Sequence, residues 1–293
     1  MIFRTDLALE DTESNRYHPA CQKIDTRRED GCTITTLVVG PEEEAHYKKP
    51  RGTYITVELP SISDHIDSND TYLNLVSREL QRLLPDDGLV LVAGLGNRDI
   101  TPDALGPKTA DQVLATRHVT GELEKLTGHS HFRPVVTVSP NVLGNTGMEA
   151  FELLEGLARQ LEPTVIIAVD ALAARTLGRL GCTVQLCDAG IAPGSGVGNT
   201  RPAISRETLG VPVIAVGVPT VVDATTLAAD LLDQSKVRFS DSLQQQISPR
   251  GTQMVVTPRE IDLLISRSSH LVAMAINTAL NPFFDTAEFS ALI

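Results

Sequence analysis

Four short apolar runs punctuate the middle of the chain, at residues 89–93, 134–138, 165–169 and 211–216. They are rich in β-branched residues and almost free of polar ones, the pattern of strands buried on both faces. Residues 54–59 instead alternate apolar and polar, as a strand with one wet face does. Between these runs the period changes. Leu73, Val76, Leu80 and Leu83 or Leu84 recur at helical spacing. Further helices are predicted at about 107–117, 147–161 and 222–233, with a last one around 258–280. Strand alternating with helix predicts an α/β fold, a three-layer sandwich with a mainly parallel, mixed-edge sheet flanked by helices.

Two stretches lack this patterning. Residues 1–50 are polar and mixed in charge, with Glu42, Glu43 and Glu44 followed by Lys48 and Lys49, so they read as a peripheral N-terminal arm. Residues 236–253, with three consecutive glutamines and a Pro-Arg-Gly turn, read as an exposed excursion. The whole span 1–293 is expected to form one domain around one core.

Composition narrows the class. No apolar run approaches the roughly 18 to 20 residues that cross a bilayer, so no membrane partner is expected. The start, Met-Ile-Phe-Arg-Thr-Asp, lacks the apolar core of a secretory signal, which points to the cytoplasm. The four cysteines, Cys21, Cys32, Cys182 and Cys187, fit neither a CxxC pair nor a small disulfide framework and read as buried or idle thiols. A formal charge of -12 argues against direct contact with nucleic acid, and a free polypeptide suits it better.

In open α/β sheets ligands gather where strands end, so the junctions after the apolar runs carry the candidate chemistry. After the first comes Gly94-Leu95-Gly96-Asn97-Arg98-Asp99-Ile100-Thr101-Pro102-Asp103, whose glycines permit a tight turn and whose Pro102 suits a helix start. Asp103 reads either as a helix-start carboxylate facing the macrodipole or as a catalytic acid. Asp170 terminates the apolar run 165–169, where desolvating a charge is costly, and reads either as a backbone-bound structural group or as the second carboxylate. Neighbouring strands would set the two face to face, raising one pKa and leaving the other ionised, an acid and a base together.

Weaker signals surround this pair. Asn97 and Thr101 belong to the same turn. Asp188 to Asn199 is rich in glycine and offers backbone N–H groups, with Asp188 and Ser195 as candidate supporting or substrate-binding residues. Ser195 has no nucleophile-elbow spacing, and the only later histidine is His270. Asp223 follows another buried run and reads as a helix cap or an orienting group. No HExxH helix occurs, and His129 and His131 read as a solvated turn.

Taken in order, residues 94–107, 168–175, 193–199 and 219–224 resemble the germination protease family of spore-forming bacteria, and the resemblance extends to Arg4-Thr5-Asp6-Leu7-Ala8 and to residues 254–262. It implies an endopeptidase that degrades small acid-soluble spore proteins in the spore core, with catalytic aspartates matching Asp103 and Asp170. It also implies a homotetramer and a zymogen that loses a short propeptide, its mature chain starting near Phe3-Arg4-Thr5-Asp6; here Met1 and Ile2 precede that point. A wider resemblance is to hydrogenase-maturation endopeptidases and their fold. Their GxGN turn also sets a carboxylate six residues past the asparagine, as Asn97 does with Asp103, but their third metal ligand is a histidine. This chain has none between His131 and His270, although Asp188 or water could take that place. No cofactor is therefore expected, and two alternatives stay open: a divalent metal held by the same carboxylates, and a non-enzymatic protein that binds an unfolded partner.

Overall fold

The computed structural model describes residues 5–10, 23–42, 44, 49–64, 70–119, 132–195, 201–235 and 254–283. Strands β1 (Lys23–Glu29), β2 (Cys32–Val39), β3 (Gly52–Glu58), β4 (Val90–Gly94), β5 (Val135–Val138), β6 (Val165–Ala174), β7 (Thr183–Cys187) and β8 (Val213–Asp223) form one sheet. Its order is β1-β2-β3-β7-β8-β6-β4-β5, and the two-residue β9 (Val255–Val256) pairs with the end of β8. The four apolar runs are β4, β5, β6 and β8, and these four are parallel to one another. β7, β3, β2 and β1 add an antiparallel wing, so the sheet is mixed.

Helices α1 (Thr71–Gln81), α2 (Leu105–Ala110), α3 (Ala150–Leu161), α4 (Ala224–Gln234) and α5 (Ile261–Leu280) complete the frame. Alternation along each strand sorts the core into two layers. Val90, Val92, Val165 and Ile167 face α1, α2 and α5, while Leu91, Ala93, Ile166 and Ala168 face α3. The helical stretches read from the sequence fall close to α1, α3, α4 and α5; the stretch at 107–117 shrinks to the six residues of α2.

Two expectations need correction. The N-terminal arm is not peripheral throughout. β1 and β2 form an edge hairpin, and Leu7, Ala8 and Glu10 are buried against the sheet. One face of the hairpin is wet, so its sequence carries no continuous apolar run. Glu79 of α1 anchors it: the carboxylate is fully buried, pairs with Arg27 of β1 and lies 2.7 Å from the Arg82 guanidinium. The second correction concerns Asp170, which lies inside β6, not at its end. The predicted excursion 236–253 lies outside the described residues.

That second difference makes the site. β4 ends at Gly94, opposite Val169, while β6 and β8 continue together for several more residues. Asp170 is the first residue of β6 beyond the last β4 partner. Gly106, in the first turn of α2, occupies the space that opens there. A Cβ on Gly106 would stand 2.2 Å from the Leu95 carbonyl oxygen and 2.4 Å from that of Val169. Both are backbone atoms and cannot step aside, so only glycine lets the helix start lie against the end of β4 and the middle of β6.

Gly106→Ala is therefore expected to destabilise the protein by about 3 kcal/mol, the upper range for overpacking. Gly144→Ala, with nothing within 4 Å of the new methyl, serves as the matched control and should be neutral. Urea denaturation midpoints of the two variants check this.

Candidate active site

The chain leaves β4 through Gly96, at φ +108, and turns into a short 3-10 helix at Thr101–Asp103 before α2 begins. The turn brings Asp103 back onto its own start: the Asn97 N–H donates to Asp103 Oδ2 at 2.7 Å. Asn97 is itself nearly buried, and its side-chain oxygen accepts the Asp99 N–H at 2.9 Å, which holds the loop closed. A β-bulge supplies the remaining tie. Between Leu172 and Ala173 the β6–β8 register slips, and the skipped residue of β8 is Thr220. Its buried hydroxyl donates to the Pro102 carbonyl at 2.8 Å, fixing the turn that carries Asp103.

Asp170 approaches from the sheet. It is 5% exposed, and one carboxylate oxygen accepts the N–H of the next residue, Ala171, at 2.9 Å. Asp103 and Asp170 line one cavity of about 500 Å³, together with Asp6, Glu149, Asp223 and Arg201. Burial raises the Asp103 pKa, opposed by the Asn97 N–H and the charge of Arg201. The Asp170 pKa is pushed well above the usual carboxylate range, first by burial and then by the charges of Asp103 and Asp6. Unequal environments thus separate the two groups, leaving Asp170 the stronger candidate to hold a proton and Asp103 the one to ionise first.

The supporting candidates divide. Asn97 meets Asp103 directly, and Thr101 opens its turn without lining the cavity. Asp223 lines the cavity but spends one oxygen on the Thr226 N–H and hydroxyl, at 2.8 and 3.0 Å, as the cap of α4. Asp188 stands apart, accepting the Thr53 N–H at 2.6 Å and pinning β3 to the end of β7. Ser195 lies in a neighbouring cavity of about 480 Å³, where its hydroxyl donates to Asp6 at 2.8 Å. Of the glycine-rich segment, Pro193 and Gly194 line the first cavity, and residues 196–200 lie outside the described residues, as do His129 and His131.

Three residues here have no counterpart among the candidates picked by local pattern: Asp6, Thr220 and Arg201. Asp6 is stitched onto β6 by backbone and side chain, its N–H donating to the Ala173 carbonyl at 2.9 Å and its carboxylate accepting the Ala173 N–H at 2.8 Å. Glu10 secures the same segment, accepting the Arg175 and Thr176 N–H groups at 2.6 and 3.2 Å. The one sequence signal for Asp6 is its place in the Arg4–Ala8 block that carries the family resemblance. Among the described residues no cluster of three or more His, Cys, Asp or Glu side chains is arranged to hold a metal ion. No described helix is long and apolar enough to cross a membrane.

Similarity to known proteins covers nearly the whole chain. The germination protease of Clostridium acetobutylicum is 37% identical over 329 aligned residues, spanning 99% of this chain and 98% of its own. That of Caldanaerobacter subterraneus subsp. tengcongensis is 39% identical over 318, spanning 99% and 98%. That of Priestia megaterium is 33% identical over 356, spanning 98% and 96%. Among solved structures, a NiFe hydrogenase maturation protease from Thermococcus kodakarensis aligns with a TM-score of 0.37 at 16% identity, covering 68% of this chain and 98% of that one.

Fold and relatives together define an α/β peptidase. Its family model, described as germination protease, matches residues 4–246, and the chain belongs to the germination protease family. It is a protease that acts in spore germination.

A buried carboxyl with a raised pKa makes stability depend on pH. In the unfolded chain Asp170 ionises near pH 4, roughly; in the folded protein it keeps its proton to higher pH. The native state then binds more protons, so stability falls as pH rises from the ordinary carboxylate range towards the raised value. Asp170→Asn removes this dependence while keeping an oxygen for the Ala171 N–H. The variant should melt at a higher temperature than wild type, by a margin that widens from pH 4 to pH 7, roughly. Calorimetry across that range tests this.

Proposed function

We propose that this protein is an endopeptidase that hydrolyses small acid-soluble spore proteins during germination, with Asp103 and Asp170 activating a water molecule between them. The observation that carries this reading is the pair of carboxylates lining one open cavity in unequal environments. Asp103, the more readily ionised, takes a proton from the attacking water. Asp170, protonated, hydrogen-bonds the scissile carbonyl and later gives its proton to the leaving amine. The pair titrates as a unit, so its rate profile belongs to both residues. Exposed apolar groups at the cavity, Ile100 and Val255 at 54% and 47%, suit an extended, flexible substrate more than a compact one. Assembly as a homotetramer and residence in the spore core belong to the same proposal.

Purified protein incubated with a small acid-soluble spore protein tests it, beside Asp103→Asn and Asp170→Asn variants. Each substitution should lower the cleavage rate by about 10² to 10⁴, the usual contribution of a positioned acid or base, with the fold retained by circular dichroism. Wild-type activity should be bell-shaped in pH, failing on the acid side as Asp103 is protonated and on the basic side as Asp170 loses its proton. Inhibition by a chelator, reversed by one divalent ion, would instead make the carboxylates metal ligands. Substrate held but never cut would make the protein a binding module.

A further inference from the structure

Arg201 lines the same cavity as the two carboxylates, on the segment that follows the glycine-rich turn. Its side chain is partly buried, and it makes no hydrogen bond or ion pair with any described residue. Other partly buried arginines of the chain are tied down. Arg175 lies 2.8 Å from Asp230, and Arg179 lies 3.4 Å from Glu10. A guanidinium taken partly out of water without a partner is costly, and such a cost persists where a ligand completes the site. The charge of Arg201 reaches both Asp103 and Asp170, yet neither carboxylate is in ion-pair contact with it. A gap therefore separates the cation from the acid pair, and both sides of the gap open into the cavity.

We propose that Arg201 is a further catalytic residue, one that donates to the scissile carbonyl oxygen and stabilises the negative charge that develops there. This rests on the reading of Asp103 and Asp170 as the acid–base pair. A peptide group bound in the gap presents its carbonyl oxygen to the guanidinium and its carbon to the water on the carboxylates. As the water oxygen bonds to that carbon, one water proton passes to Asp103 and the carbonyl π pair moves onto oxygen, where Arg201 and the Asp170 hydroxyl face it. When the C–N bond breaks, the Asp170 proton goes to the amine nitrogen and the carbonyl re-forms as the product carboxylic acid. Asp103 then returns its proton to Asp170, and no oxidant or co-reactant is needed. A planar fork of N–H donors that no described residue engages is suited to meeting the charge that develops on that oxygen.

Steady-state cleavage of a small acid-soluble spore protein by Arg201→Ala and Arg201→Lys tests the assignment. Arg201→Ala should lose about 10² to 10³ in kcat, the usual cost of one oxyanion donor, with KM nearly unchanged. Added guanidinium at low millimolar concentration should restore part of the loss in Arg201→Ala and none in Asp170→Asn. Unchanged kcat overturns the proposal. A defect confined to KM also overturns it and makes Arg201 an anchor for an acidic substrate side chain. A lowered melting temperature with no rescue by guanidinium overturns it in favour of a structural role. If the aspartate variants cut normally, the acid–base reading itself fails, an outcome separate from each of these.

Discussion

Gly106 sits on the carbonyls of Leu95 and Val169 with no room for a methyl group, and the site follows from that contact. Val169 immediately precedes Asp170, and Gly106 lies three residues past Asp103. Seating the start of α2 against β4 and β6 therefore sets one carboxylate beside the other with no flexible segment between them. Gly94 repeats the device from below: a Cβ there would stand 2.2 Å from the Gly106 carbonyl oxygen. The two glycines let backbone pack on backbone, which is how a loop can be positioned as firmly as a strand. Thr220 adds the third point of attachment through a bulge in β8.

Holding two carboxylates in such a place is unfavourable for folding, because burial penalises each charge and proximity penalises both. The structure meets this unevenly. Asp103 receives an N–H from Asn97 across the turn, whereas among the described residues Asp170 receives one only from its own neighbour and also feels the charge of Asp6. Arg201 moderates both without bonding to either. Full neutralisation by a salt bridge would have depressed both pKa values and left two ionised groups, with no acid among them. Burial that no ion pair offsets is thus what pushes the Asp170 pKa above that of a free carboxylate.

Much of the fold could be read from the chain because its central strands are buried on both faces. Runs such as Val165–Val169 are apolar throughout, and α1, α3 and α5 keep a helical period. The antiparallel wing carried weaker marks: β1, Lys-Ile-Asp-Thr-Arg-Arg-Glu, has a single apolar side chain, since only a hairpin with a wet face tolerates that composition. β6 was shorter in the sequence than in space for a similar reason. Ala171, Leu172, Ala173 and Ala174 have no strand preference of their own, and it is pairing with β8 that keeps them extended. The carboxylate pair was legible as two aspartates that follow apolar runs, although Asp170 proved to lie inside β6. Arg201 and Thr220 were not, because nothing local marks a residue that only the fold brings to the cavity.

The site draws on five separated stretches: Asp6, the turn from Gly94 to Gly106, β6, Arg201 and the far half of β8. None of these stretches contains Asp103, Asp170 and Arg201 together. The N-terminal segment docks against another of them, since Glu10 is buried and takes N–H groups from Arg175 and Thr176 beyond the end of β6. The groups it docks on are set in place by the extension of β6 past Asp170 along β8. A partly folded chain would hold the two carboxylates apart, each free to ionise. The juxtaposition of the two carboxylates is thus a property of the complete sheet and not of any one segment.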